Sequence, residues 1–267
     1  MLVPGCVAPA TKKEDRPSFS QIPTQAIPPE MPMPKDIVHV NPVETMGQGN
    51  SNACGTTSTA MLAKYWNGSC DRHAIDAKIR SFDGPTIPTD ITAYLAEHQN
   101  LRAAISGSVS EEKLAALVEQ GVPCIVLIDP VDSSDPTSVP NTHDANLHWV
   151  IVSGVKRSGQ NPQKITHLHI TNPGGEGYTE FMQTSQFMTA WSALQLGGKP
   201  MGINRLVISA VPADPETVVH APDGTWRKAG EIELPSGPWT TSAVTTAGAK
   251  ALSILQKLKK APTTQPR

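Results

Sequence analysis

Residues 48 to 65, QGNSNACGTTSTAMLAKY, constrain this chain more than any other stretch. A turn-prone run of Gly, Asn and Ser passes into small and apolar residues that carry no charge until Lys64. That is the pattern of a buried helix entered from a surface loop. Cys54 stands at the junction. The first backbone N–H groups of a helix have no intrahelical partner and carry partial positive charge, so a thiol there is expected to ionise below its ordinary value of about 8.5. Gln48 is close enough in sequence to return its side-chain amide beside the sulfur. There, with the Cys54 N–H, it would donate to an oxyanion on an attacked carbonyl. The competing reading is a small core cysteine, because free cysteine is among the most buried residue types. Partners elsewhere in the chain decide between the two.

The 267 residues suffice for one large domain or one and a half. A formal net charge of −2 with mixed signs leaves no basic footprint for nucleic acid and no polybasic membrane patch. No stretch approaches the roughly 20 apolar residues of a membrane span. The four cysteines have no regular spacing, so neither a disulfide framework nor a zinc site is expected, and no cofactor is called for. Residues 1 to 45 are rich in Pro, Ser, Thr and charge with little periodicity, and read as a linker or wrapping arm. Leu2-Val3-Pro4-Gly5-Cys6 resembles the end of a bacterial lipoprotein signal, although the stretch lacks the charged and apolar regions of a signal peptide. Either Cys6 is lipidated and tethers an exported protein to the cell envelope, or it is incidental on a frayed terminus of a secreted or cytoplasmic one.

Beyond the Cys54 helix, three amphipathic helices are expected. Asp71 caps the first, with Ile75 and Ile79 inward. Thr89 or Asp90 starts the second, with Ile91, Tyr94 and Leu95 on one side. Ser108 and Glu111 form a capping box for the third, with Leu114, Leu117 and Val118 buried, ending at Gly121. The period then changes to two, giving strands over Pro123–Ile128, His148–Val155, Ile165–Thr171 and Arg205–Val211. Helices first and antiparallel strands afterwards imply an α+β domain with the cysteine helix packed on a sheet. The stretch from Asp129 to Leu147, dense in Pro, Asp, Ser and Asn, is the expected rim of a substrate cleft.

Ser158-Gly159-Gln160-Asn161-Pro162 signals a turn between the second and third strands. A hairpin centred near Gln160 would pair Val152 with Leu168, Val150 with Ile170 and His148 with Asn172. An apolar face would then carry a His and an Asn side by side at its open end. A lone histidine there is more often a hydrogen-bonded core residue, but an orienting amide at the cross-strand position changes the balance. A base held by a third group, beside a thiol, is the minimum apparatus of cysteine nucleophilic catalysis.

Gln48, Asn52-Ala53-Cys54-Gly55-Thr56-Thr57-Ser58 with Ala60-Met61 and Tyr65, Leu147-His148-Trp149-Val150-Ile151-Val152-Ser153-Gly154 and Thr171-Asn172-Pro173-Gly174-Gly175 together resemble one branch of the papain superfamily. It is the branch containing the bacteriocin-leader (double-glycine) peptidases. Pro88-Thr89-Asp90-Ile91, Gly121-Val122-Pro123 and Ser185-Gln186-Phe187 with Trp191 extend the similarity, which spans about Val43 to Val211. The resemblance implies a papain-like domain over residues 46–212, with Gln48 as oxyanion donor, Cys54 as nucleophile, His148 as base and acid, and Asn172 as orienter. That branch usually carries Asp in the third position, whereas papain uses Asn. No transporter module accompanies the domain, so cleavage of double-glycine leaders is not implied. The expected activity is hydrolysis of peptide bonds in a peptide or protein substrate. An acyl transferase or amidase acting on peptidoglycan or isopeptide bonds, and a catalytically silent peptide-binding module, stand as alternatives.

His167 and His169 alternate with Leu168 and, with His143, suggest a metal pair, but by parity they face away from His148 and Asn172 and read as solvated strand residues. Cys70 and Cys124 would be free to pair in an exported protein. Residues 213–267 read as an extension holding a hairpin turned at Asp223-Gly224. A helix follows it, striped by Val244, Ala247, Ala251, Leu252, Leu255 and Leu258.

Overall fold

A computed structural model of the chain describes residues 35–80, 86–129, 147–192, 195–196, 199–200 and 204–235. Cys6, the arm up to residue 34, the expected cleft rim over 130–146 with His143, and the expected C-terminal helix lie outside the described residues.

The element order is β1 (Ile37–Val40), α1 (Cys54–Asn67), α2 (Arg72–Ile79), α3 (Pro88–Gln99), β2 (Leu101–Ser106), α4 (Glu111–Glu119), β3 (Cys124–Ile128), β4 (His148–Arg157), β5 (Ile165–Asn172), β6 (Tyr178–Gln183) and α5 (Thr184–Ser192). After these come the short pair β7 (Gln195–Leu196) and β8 (Lys199–Pro200), then β9 (Val207–Pro212) and the hairpin β10 (Val218–His220) and β11 (Trp226–Lys228). Strands β2, β9, β3, β4, β5 and β6 hydrogen-bond in that order, every pairing antiparallel. β1 adds a seventh strand by pairing with β4. The architecture is α+β, with the cysteine helix α1 packed on an antiparallel sheet.

Strand alternation sorts the core onto two faces. Ile125, Leu127, Trp149, Ile151 and Ile208 point to the side of α1, α2 and α3, where they meet Met61, Leu62, Ile75, Ile91 and Leu95. Cys124, Val126, Val150, Val152, Leu168 and Ile170 point to the other side, against Leu114, Leu117 and Val118 of α4 and Phe187 and Trp191 of α5. Each such large apolar side chain stabilises the fold by about 1.5–3 kcal/mol of transfer free energy. Val219, Ile232 and Leu234 belong to this second cluster, so the chain following β9 closes the core.

Three local expectations need correction. β1 brings the sheet's first residue forward to Ile37, inside the stretch read as an arm, and Asn41 is buried where it donates from both its N–H and its Nδ2 to the Ser153 carbonyl. α4 is capped by Ser110, whose Oγ accepts from the Lys113 N–H. Ser108 lies at φ 55° and donates its N–H to the Asn204 carbonyl. α3 starts at Pro88, ahead of Thr89, because proline is favoured at a first turn where its missing N–H costs nothing. Cys70 and Cys124 are both free, packed in the clusters on opposite faces of the sheet. No described helix is long and apolar enough to cross a membrane.

The β4–β5 register also differs from the expected one. Val152 pairs with Ile170 rather than with Leu168, Val155 pairs with Leu168, and irregularities fall between Val152 and Gly154 and between Lys156 and Arg157. An extra residue on one strand is a bulge, which shifts the count without changing which residues stay buried. The pairing at the open end runs to Ile151 opposite Thr171. One further step sets Asn172 against Val150 and makes His148 its diagonal neighbour on the same face, a span that two long polar side chains can close.

Candidate active site

α1 begins without a side-chain cap, Ala53 standing at its N-cap position. Its first N–H groups are therefore available to the thiol rather than to a capping oxygen. Cys54 is half-buried, and the backbone N–H groups of Trp149, Gly55 and Cys54 itself lie near enough to its sulfur to favour the thiolate. Trp149 is the residue after His148, so the sulfur rests against the first turn of its own helix and the opening residues of β4. Ser58 Oγ donates to the Trp149 carbonyl at 3.1 Å and fastens that helix to that strand.

Burial pushes the Cys54 thiol up from its ordinary value, and the three N–H groups and the Arg80 guanidinium pull it partly back. The helix-end argument named Gly55 and Cys54 but not Trp149 on β4, whose N–H opposes burial most, and it omitted desolvation, which is the larger effect at this depth. Burial likewise pulls the His148 imidazole down, opposed by its bond to Asn172. Both shifts oppose the charged forms, thiolate and imidazolium, in the resting site.

His148 Nε2 and Asn172 Oδ1 lie 2.8 Å apart. An amide oxygen only accepts, so the bond requires the proton on Nε2 and leaves Nδ1 with its lone pair. Oδ1 also accepts from the Gly174 N–H at 2.8 Å, an Asx turn written in the Asn172-Pro173-Gly174 sequence. The Asn172 Nδ2–H donates to the Tyr178 hydroxyl at 2.9 Å.

Gln48 sits in the loop ahead of α1, and its Nε2 donates to the Ser51 carbonyl at 2.8 Å while its Oε1 is buried without a partner. The loop is clipped to the turn after β5: the Gln48 N–H donates to the Pro173 carbonyl at 2.8 Å and the Gly49 N–H to the Gly175 carbonyl at 2.9 Å. A Cβ on Gly47 would stand 2.6 Å from the Gly175 carbonyl oxygen, so only glycine lets the two segments close. In this resting arrangement His148 and Asn172 are bonded, whereas neither the Cys54 sulfur nor the Gln48 amide bonds to His148. Active-site hydrogen bonds are often long or unformed until substrate is present.

Arg80, Asp76 and Thr86 pack around the first turn of α1. The Arg80 side chain is 5% exposed and pairs at 3.3 Å with Asp76, whose carboxylate accepts from Thr56 Oγ1 in the first turn of α1 at 2.7 Å. Thr86 packs on Gly55, where a Cβ would stand 2.5 Å from Thr86 Cβ and 2.9 Å from Trp149 Cδ1. Thr86 Oγ1 is buried with no partner, and its carbonyl accepts from Trp149 Nε1–H at 3.3 Å. None of Arg80, Asp76, Thr86 or Tyr178 was singled out for this site from the sequence, although the Arg72, Asp76, Arg80 spacing places all three on one helix face. His169 Nδ1 lies 2.8 Å from Ser153 Oγ and its ring stands edge-on to Phe181, while His167 lies opposite Lys156 across the strands.

An uncapped helix presenting a half-buried cysteine and packed on an antiparallel sheet, two strands of which carry an imidazole–amide pair, is the arrangement of a papain-like α+β domain. Residues 38–197 match the model of the Peptidase C39-like family, and the chain belongs to that family. No curated protein matches the chain. Solved structures similar to it include a C39-like peptidase from Bacillus anthracis (16% identity, 65% of this chain and 97% of that one, TM-score 0.46). A second is the peptidase domain of ComA from Streptococcus, described as a bifunctional ABC transporter involved in a quorum-sensing pathway (14% identity, 64% and 98%, TM-score 0.44). A third is a double-glycine-motif protease from an AMS/PCAT transporter in complex with its leader peptide (16% identity, 66% and 99%, TM-score 0.42).

Proposed function

We propose that this protein is a cysteine peptidase in which Cys54 attacks the carbonyl of a peptide bond. The observation that carries the reading is the bond of His148 Nε2 to Asn172 Oδ1, because it commits the imidazole to the tautomer whose Nδ1 can take a proton. As the sulfur attacks, its proton passes to Nδ1, the C–S bond forms, and the carbonyl π electrons move onto oxygen. The Cys54 N–H donates to that oxyanion, and the Gln48 amide joins it by keeping one N–H on Ser51 and turning the other to the substrate. Collapse of the tetrahedral adduct breaks the C–N bond, and His148 returns the proton to the leaving amine. Water, deprotonated by His148, then attacks the acyl carbon, the C–S bond breaks, and His148 returns the proton to the Cys54 sulfur as the carboxylic acid leaves.

Burial opposes the charged form of both Cys54 and His148, which favours proton transfer that accompanies attack over a standing ion pair. The test is a peptide library incubated with wild-type protein and with Cys54→Ala, the products read by mass spectrometry. Cleavage by the wild type alone supports the reading, and intact peptides with both proteins overturn it. Products joined to an added amine would move the assignment from hydrolysis to acyl transfer.

A further inference from the structure

We propose that Tyr178 is a positioning residue: its phenolic oxygen holds the Asn172 amide, and through it the His148 imidazole, in the working orientation. The inference rests on the reading of His148 as the base. Asn172 is 7% exposed, and its amide is held at both ends, Oδ1 by the His148 Nε2–H and the Gly174 N–H and Nδ2 by the Tyr178 oxygen. The Gly174 N–H can only donate, so it decides which end of the amide faces His148. It does not fix the amide plane, because the Asn χ2 torsion is broad. The second anchor, on the far side of the amide, does.

Tyr178 reaches that point by strand pairing. β6 runs along β5 with Tyr178 opposite Asn172, and the ring edge lies 3.7 Å from where a Gly174 Cβ would be. At 48% exposure the ring is not held there for burial alone. Burial, chiefly, keeps the phenol protonated above its ordinary range, so a neutral hydroxyl faces the amide at physiological pH. Removing that one oxygen leaves a buried Nδ2–H without its acceptor. The amide then rotates, and the Nε2–H bond that fixes the His148 tautomer weakens.

The experiment compares wild type, Tyr178→Phe, Asn172→Ala and the double variant, each checked for folding by circular dichroism. Phenylalanine keeps the ring and the strand preference of the half-exposed site. Peptide turnover is measured together with nitrogen NMR of the labelled His148 ring, which reports tautomer and Nε2–H exchange without any substrate. Tyr178→Phe should lower kcat/KM by about 2- to 12-fold, the worth of one neutral hydrogen bond, and should speed Nε2–H exchange by a similar factor. In the Asn172→Ala background it should change neither quantity. Wild-type behaviour of Tyr178→Phe in both readouts, or an equal loss with and without Asn172, overturns the proposal. An NMR change as expected with no change in turnover supports the positioning by Tyr178 and overturns instead the reading of His148 as base.

Discussion

Cys54 and Cys124 lie on opposite faces of one sheet and burial raises both thiols, yet their surroundings differ in kind. Cys124 is fully buried on a central strand, its Sγ–H directed at the Val122 carbonyl at 3.4 Å, and nothing opposes the desolvation. Around Cys54 the same desolvation is opposed by three backbone N–H groups and by a guanidinium that Asp76 holds in place. Burial alone silences a thiol. A usable nucleophile needs burial together with donors already aimed at the anion, where the low dielectric strengthens them.

The comparison breaks most directly at the two sulfurs. Cys54→Ala should bring turnover to background, a loss of about 10⁴- to 10⁶-fold, with the fold retained. Cys124→Ala should leave kcat within about twofold and cost on the order of 1 kcal/mol of stability, read as a lower Tm. Comparable turnover losses would mean that the two thiols have been assigned the wrong roles.

The partner of the proposed base gives the next effect in size. Asn172→Ala should slow acylation by about one to three powers of ten in a folded protein, since it removes geometry and not the nucleophile. Asn172→Asp should retain more activity, because a carboxylate still accepts from His148 Nε2–H and from the Gly174 N–H. Steady-state rates of the two variants decide this, and full activity in a folded Asn172→Ala would show that the His148–Asn172 bond is not used.

Arg80 sharpens the contrast between the two faces. Arg80→Gln removes the cation near Cys54, so iodoacetamide labelling of Cys54 at pH 8 should slow several-fold while Cys124 stays unlabelled in the native protein. Peptide mapping by mass spectrometry separates the sites. An unchanged Cys54 rate would leave the backbone N–H groups as the sole opposition to burial.

The smallest effect is the pH dependence. His148 is pulled below its ordinary 6.5, and the mechanism needs it neutral, so activity should be complete above that value and fall only as pH drops through the lower, shifted one. Burial raises the Cys54 thiol above its ordinary range, so its alkylation in the absence of substrate should climb through alkaline pH instead of being fast under slightly acidic conditions. Equal labelling of Cys54 at pH 6 and pH 9 would contradict that upward shift.

Much of the site is legible in the sequence because local rules write it. The switch from polar loop to uncharged small residues marks the start of α1 at Cys54, and the Asn-Pro-Gly-Gly run marks the turn that clips onto the Gln48 loop. Alternation puts His148 and Asn172 on a common face, and a register displaced by two residues preserves that parity, so the pair meets although the expected pairing was wrong. The bulge near Ser153 leaves no mark in residue type. Strand β1 was hidden because a proline-rich stretch reads as linker until its last residues find a free edge of β4.

By itself, then, the sequence determined the α+β class, four of the strands, the helix that carries Cys54 and the parity that brings an imidazole to an amide. These follow from periodicity and turn chemistry, which act over a few residues. β2 and α5 break the expected order of helices first and strands afterwards, and β6 adds a strand to those expected. Only the tertiary structure decided the register, the reach of Tyr178 to Asn172, the approach of Arg80 and the direction in which Cys54 and His148 shift. Those depend on desolvation and on donors delivered by distant segments, and a group's free energy of ionisation sums over everything packed around it, whatever its distance along the chain.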